Sequence, residues 1–326
     1  MYPTKPSRSG KPKLAGPAIQ PRPQTASAFD KAMQDLRNHP GAFPNVSLRW
    51  LLSAAVVALV GAIFCAWLTL CLLYWQGSWQ LLYHPRTAIT TTPASAGLSY
   101  EPIHFAATET GTNQLTGWRI PADGARFTVL YLHGSDGNLG DTVDTLAALH
   151  RQGQSVFAID YRGYGQSQPI HESGHPNERQ LRQDAEWALT WLTLTRNTPA
   201  KSIIVYGTGL GANLAAELAA DHSELAGVVL DQPQQNPLAP VFNDSRSRLV
   251  PARLLQKDRY DLGVAAASLR IPSLWLLAQP GKGRPTGPAP VAYQAVLSKK
   301  TSTWLTTPVA ADSLFGATLQ RWLDDL

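Results

Sequence analysis

The sequence predicts an α/β domain with a mostly parallel, doubly wound sheet flanked by helices, preceded by one transmembrane helix. Three observations predict it. From about Leu98 onward, short apolar segments rich in β-branched residues alternate with amphipathic helical segments, the order that builds a parallel sheet with crossover helices. One segment, residues 202–214, reads as strand, glycine-dense turn and Ala/Leu-rich helix in direct succession. Upstream, residues 51–75 carry no charge at all.

Composition narrows the function classes. The chain has 326 residues, enough for one large domain and additional segments. Residues 1–49 hold eight Lys/Arg against Asp30 and Asp35, a net +6, whereas the whole chain is +5. The remainder is therefore −1, so the basic character belongs to the tail, and no nucleic-acid partner is expected for the folded part. Both cysteines, Cys65 and Cys71, lie in the apolar stretch. The globular region has neither a disulfide framework nor a thiolate metal site, and no metal or cofactor is expected.

Taken in order, residues 1–49 read as a disordered basic tail. Eight of the 25 prolines fall there, and such a segment buries too little apolar surface to offset its ordering entropy. A short helix is expected near 28–37. Residues 50–75 read as the transmembrane helix: at about 1.5 Å per residue the run exceeds a hydrocarbon core of roughly 30 Å. Trp50, Trp67, Tyr74 and Trp75 supply interfacial aromatics. The run is too long, and starts too far into the chain, for a cleaved signal peptide. Arg49 and the tail precede it, and Arg86 is the first charge after it, so the positive-inside rule places the N-terminus in the cytoplasm and the globular domain on the periplasmic or luminal side. Residues 76–98 read as a juxtamembrane connector, with Trp79, Leu81, Leu82 and Tyr83 as a stretch able to lie on the bilayer surface.

Residues 99–326 form the predicted domain. Strands are expected at 99–106 and 114–120 (an antiparallel pair), 127–132, 155–160, 202–207, 227–231, 272–278 and 303–306. Helices are expected at 141–152, 178–196, after Gly209, and at 312–326. Residues 232–263 show no clean period and are expected to cap the strand ends. In such a sheet, ligands sit outside the carboxyl ends of the strands.

The turn at Gly207-Thr208-Gly209-Leu210-Gly211 has the context of a nucleophile elbow, G-x-S-x-G, in which a serine stands on a strained strand-to-helix turn. Gly207 and Gly211 occupy the outer glycine positions, but the nucleophile's position is Gly209.

From about Trp79 to Leu326, three quarters of the chain, the sequence resembles single-pass, membrane-anchored α/β-hydrolases, in particular the α/β-hydrolase-domain group acting on acyl lipids, lysophospholipids or S-acylated proteins. Four motifs carry the resemblance in order: Leu82-Tyr83-His84-Pro85, Leu132-His133-Gly134-Ser135-Asp136-Gly137-Asn138-Leu139, Asp160-Tyr161-Arg162-Gly163-Tyr164-Gly165-Gln166-Ser167, and Tyr206 to Gly211. The resemblance implies an α/β-hydrolase fold, an oxyanion hole from the backbone N–H groups of Ser135 and Leu210, and a cleft lined by His133, Gly134, Asp136 and Thr208.

The catalytic positions depart from that family. The triad should run Ser, Asp or Glu, then His. Its positions here match Gly209, Gly281 and Asp312, and the turn 279–283 holds no carboxylate. The eight histidines are 39, 84, 104, 133, 150, 171, 175 and 222, so only His222 follows the elbow. It ends the elbow's own helix, roughly 20 Å along the axis, far beyond the roughly 3 Å a general base needs. Thr208 is expected to point aside into the scaffold, His133 to pack under its turn, Asp160 and Arg162 to brace a strand end, and Asp231 to cap a loop. The sequence therefore reads as a membrane-tethered α/β-hydrolase-fold pseudoenzyme that binds an acyl or carboxylate ligand or a membrane protein partner. The alternative is an active ester, thioester or lipid hydrolase using a different constellation.

Overall fold

The computed structural model describes residues 28–38, 47–106, 111, 113–168, 174–279 and 290–326. Most of the predicted tail and Gly281 lie outside the described residues. Two compact units divide the chain, 1–63 and 64–326, with the division inside the apolar helix. The first unit contains helix Ala28–Asn38, at the place expected for a short helix. The apolar run is helical over Leu48–Gly77. Its apolar stretch is almost entirely unburied, so it is no core helix, and it is long and apolar enough to cross a membrane.

The second unit holds an eight-stranded sheet: β1 Glu101–Ala106, β2 Asn113–Ile120, β3 Thr128–Leu132, β4 Ser155–Asp160, β5 Ile203–Thr208, β6 Gly227–Asp231, β7 Ser273–Ala278 and β8 Lys300–Leu305. Their spatial order is β8-β7-β6-β5-β3-β4-β2-β1. All pairings are parallel except those of β2, which runs antiparallel to both β1 and β4. The α/β-hydrolase fold expected from the sequence is therefore the fold observed. Alternate residues feed opposite cores, as the period of a strand dictates. Leu130, Leu132 and Val205 face one layer, and Val129, Tyr131, Ile204 and Tyr206 the other.

Chain order reverses around β3, which lies between β4 and β5. Leu132 pairs with Gly207, so the turn after β3 and the turn after β5 emerge side by side at the carboxyl edge. The elbow helix Leu210–Asp221 is buried along almost its whole length. Helix Glu178–Thr190, extended by a π-turn to Thr195, matches the expected 178–196 segment.

Three expectations need correction. Leu82 and Tyr83 do not lie on a bilayer surface. They are 4% and 1% exposed within the domain core, and Trp79 and Leu81 pack against it. The Tyr83 hydroxyl donates to Asp258 Oδ2 at 2.8 Å and lies 2.6 Å from the Tyr260 hydroxyl. The last strand starts at Lys300 rather than 303, because Lys300-Thr301-Ser302-Thr303 pairs along β7 through its backbone on a half-buried edge where no apolar pattern is required. The terminal helix begins at Phe315, not 312, because Asp312 is engaged in the turn before it.

The connector is thus part of the fold. Tyr83→Phe should destabilise the protein by about 1–3 kcal/mol, since it withdraws a buried donor from Asp258. Denaturant midpoints of the two proteins check this, and equal midpoints would contradict a structural role for the connector.

Candidate functional site

The elbow forms where β5 ends at Thr208 and the helix begins at Leu210. Two glycines make it by having no side chain. A Cβ at Gly207 would collide with the Gly211 carbonyl, and a Cβ at Gly211 with the carbonyls of Leu132 and His133. Helix, elbow strand and the neighbouring turn are therefore in backbone contact. At the apex, Gly209 takes φ 59°, ψ −118°, a conformation that glycine adopts at little steric cost. Its N–H donates to the Asp231 carbonyl at 2.8 Å, which ties the apex to β6. A Cβ placed there would meet no obstruction, only an ordinary contact with Gln234 Nε2 at 3.8 Å. The shape of a nucleophile elbow is present and the reactive atom is not.

The turn after β3 lies against the elbow, since a Cβ on Gly134 would stand 3.4 Å from the Thr208 carbonyl. Two tyrosines following β4 fasten it. Tyr161 Oη donates to the His133 carbonyl at 3.1 Å, and Tyr164 Oη to the Ser135 carbonyl at 2.9 Å. His84 N–H also donates to the Ser135 carbonyl, at 3.0 Å, through a short parallel bridge of His84–Pro85 with Asp136–Gly137. Farther along, Asn138 opens a capping box with Asp141, and Leu139 N–H donates to Asp160 Oδ1 at 2.9 Å.

The sequence-predicted residues distribute as follows. His133 is 1% exposed, with Nδ1 2.8 Å from the Gly134 carbonyl and its ring 4.5 Å and 5.0 Å from Tyr161 and Tyr164. It supports the turn from beneath and does not line a cleft. Burial pulls its pKa down to about 4. Asp160 is fully buried, 3.5 Å from His133 Nε2, and burial pushes its carboxyl up to about 7. Arg162 braces the strand end through its buried pair with Asp184 at 2.5 Å. Asp136 has a side chain that is 75% exposed, and its Oδ1 meets His84 Nδ1 at 2.6 Å.

Thr208 Oγ1 lies 3.1 Å from the Tyr131 hydroxyl, turned into the scaffold. Beside it, Tyr206 donates to Asp231 Oδ2 at 2.9 Å, and burial pushes Asp231 up to about 6. Asp231 thus lies under the elbow rather than capping an exposed loop. Asp312 is occupied in its own turn, accepting from Thr306 N–H at 2.6 Å, Thr306 Oγ1 at 2.7 Å and Leu314 N–H at 2.8 Å. His222 is held between Glu186 and Glu224, at 2.9 Å from each. Gly281 is outside the described residues. Among the described residues no cluster of three or more His, Cys, Asp or Glu side chains suits a metal ion.

Two features were missed in the sequence. Gln234 is latched over the elbow by reciprocal bonds with the buried Asn213, at 2.9 and 2.8 Å. Nothing in the pattern of the cap segment announces this; only Asn213, a polar residue in the first turn of an otherwise apolar helix face, is a signal. The His84–Asp136 pair joins two motifs more than fifty residues apart, and their shared appearance at the family's motif positions was the available clue.

A family model described as serine aminopeptidase, S33, matches residues 123–270. The uncharacterized protein MT2364 of Mycobacterium tuberculosis is 31% identical over 231 residues, covering 70% of this chain and 78% of that protein. An uncharacterized membrane protein of Saccharomyces cerevisiae, YNL320W, is 32% identical over 142 residues, 43% of this chain and 48% of that one. Alpha/beta hydrolase domain-containing protein 17C of Xenopus tropicalis is 35% identical over 124 residues, 38% of each chain. This chain therefore spans about half the length of the yeast relative and less of the frog one. Among solved structures, the Pyrococcus furiosus esterase Pf2001 aligns with a TM-score of 0.57 at 19% identity, covering 74% of this chain and 98% of that chain; this likeness is one of fold.

The glycines of the elbow make unequal demands. Gly209→Ser meets no obstructing atom but must hold φ near +59°, and should cost about 1–3 kcal/mol. Gly211→Ala must displace two backbone carbonyls and should cost at least the top of that range. Denaturant midpoints of the two variants check the order. A Gly211→Ala protein as stable as the parent would contradict the close backbone approach.

Proposed function

We propose that this chain, a member of the α/β-hydrolase family, binds an acyl or carboxylate-bearing ligand at its elbow without cleaving it. The observation that carries the reading is Gly209 at the apex of an otherwise complete elbow. No hydroxyl is available there for attack, and no histidine follows His222 to accept its proton. What remains favours an anion or a polarised carbonyl. The N-terminus of a 12-residue helix lies at the carboxyl edge of the sheet, and the family resemblance assigns the N–H groups of Ser135 and Leu210 to an oxyanion hole. A Cβ at Gly209 would touch only Gln234 Nε2, at 3.8 Å, so the side chain that a ligand's head would displace first is that of Gln234. A membrane protein partner in place of a small ligand belongs to the same reading.

A second reading, hydrolysis of esters or thioesters by another constellation, is favoured by one observation. His84 and Asp136 form a pair with Nδ1 engaged, next to Ser135 in the adjoining turn. Such a pair orients an imidazole as a general base requires. No hydrogen bond joins it to the Ser135 hydroxyl, which is why the binding reading is preferred.

The purified full chain should bind a fluorescent fatty acid saturably, and should hydrolyse p-nitrophenyl esters and acyl-thioesters no faster than a Ser135→Ala/Thr208→Ala double variant. Gly209→Ser should not restore turnover, because no base stands ready for the new hydroxyl. Robust hydrolysis abolished by His84→Ala would replace this reading with the second.

The chain sits in its membrane with the N-terminus cytoplasmic and residues 76–326 on the periplasmic or luminal side, a reading supported by the eight Lys/Arg of residues 1–49 ahead of the apolar run. Protease added outside intact spheroplasts should digest the globular domain and spare the tail. A fully protected domain would reverse the orientation.

A further inference from the structure

The cap segment following β6 wraps the membrane-proximal end of the apolar helix. Trp67 Nε1 donates to the Leu249 carbonyl at 3.0 Å, Tyr74 Oη to the Val241 carbonyl at 3.0 Å, and Lys257 Nζ lies 5.4 Å over the Trp75 ring. Trp67 lies eight residues, about 12 Å of helix, before Trp75, where the predicted transmembrane segment ends. Leu249 is thus held beside a helix position well inside the apolar run. If that run occupies lipid, so does the flank on which Leu249 sits.

The composition of this segment fits that location. Leu249 and Leu254 are 62% and 83% exposed, large apolar side chains with nothing over them in the fold. Between residues 244 and 259 stand Arg246, Arg248, Arg253, Lys257 and Arg259, all exposed, against two carboxylates. Both carboxylates are already engaged: Asp244 with Arg246 at 2.8 Å, and Asp258 with Tyr83 in the interior. Arg253 Cζ lies 5.8 Å from the Phe242 ring centroid and Lys257 Nζ 5.4 Å from that of Trp75, so these two cations make cation–π contacts and carry no carboxylate partner among the described residues. Next to them, an apolar groove of about 220 Å³ is lined by Leu70, Leu73, Tyr74, Leu81, Leu249 and Val250. Exposed leucines interspersed with unpaired cations, continuous with a membrane-spanning helix, match the chemistry of an anionic lipid surface.

We propose that residues 244–259 dock on an anionic phospholipid surface, with Leu249 and Leu254 in the acyl layer and Arg248, Arg253 and Lys257 at the headgroup phosphates. The proposal rests on the reading of the apolar helix as a membrane span. It makes the cap an element held at the membrane by lipid as well as by its contacts with the helix. Because the cap begins at Gln234 over the elbow, its docking also sets the side from which a lipid-borne ligand approaches.

The test uses the full chain in vesicles, with Cys65→Ala and Cys71→Ala as background. An environment-sensitive fluorophore is attached at Leu254→Cys or, for comparison, at Leu297→Cys, a position 89% exposed elsewhere on the domain. Vesicles are phosphatidylcholine alone or mixed with phosphatidylglycerol, with nitroxide on the acyl chains as quencher. The label at 254 should emit to the blue and be quenched by the lipid nitroxide, more strongly with phosphatidylglycerol, while the label at 297 stays aqueous. An Arg248→Gln/Arg253→Gln/Lys257→Gln variant should lose the phosphatidylglycerol dependence and still float with the vesicles. A chain that floats while the label at 254 remains aqueous overturns the docking alone. So does a label shielded from water but not quenched by lipid, which would indicate a second copy or another protein on this face. A chain that does not float overturns the docking and the membrane span together.

Discussion

The site depends on one close approach: the backbone at Gly211 against the carbonyls of Leu132 and His133. It brings the first turn of the elbow helix down onto the strand beside it, and the turns after β3 and β5 become neighbours at the carboxyl edge. Gly207 is required for the same reason on the other side. Everything else at the site is built on this contact. Tyr161 and Tyr164 hold the turn from one side, Asp231 holds the apex through its carbonyl, and Asn213 holds the cap through Gln234. A chain that retains such an expensive arrangement without its nucleophile retains a shape. The shape still offers the N-terminus of a helix, which favours an anion.

The polar groups around the site are consistent with a scaffold rather than a proton relay. His133 and Asp160 are buried together, and burial works against charge on each of them. Their separation of 3.5 Å is long for a strong hydrogen bond. Asp231 is likewise beneath the elbow, with its acceptor taken by Tyr206. The half-buried Asp312 and His222, by contrast, are committed locally, Asp312 to its turn and His222 to two glutamates. None of them is within a bond of the apex.

The strands and the elbow were legible in the sequence because each is written in local chemistry. Apolar β-branched runs, the glycines at 207, 209 and 211, and the absence of histidine after 222 all follow from single positions. What was not legible depended on partners distant in the chain. Leu82 and Tyr83 look like interfacial residues until Asp258 and Tyr260 appear beside them. His133 and Asp136 are three positions apart in one turn motif, yet one faces the core and the other the surface, and only the tyrosines after β4 and the bridge to His84 decide which. The polar edge strand from Lys300 carries no pattern because its pairing is backbone alone. The cap was unreadable for the same reason, since its order comes from the helix end it packs on.

The central claim is that the elbow holds a ligand and has nothing with which to attack it. Intact-mass measurement of the purified full chain after incubation with a long-chain fluorophosphonate tests this most directly. The account predicts the mass of the unmodified chain, the same as that of a heat-denatured control. A stoichiometric phosphonyl adduct on the native chain alone, mapped to Ser135 or Thr208, would show an activated nucleophile and contradict it.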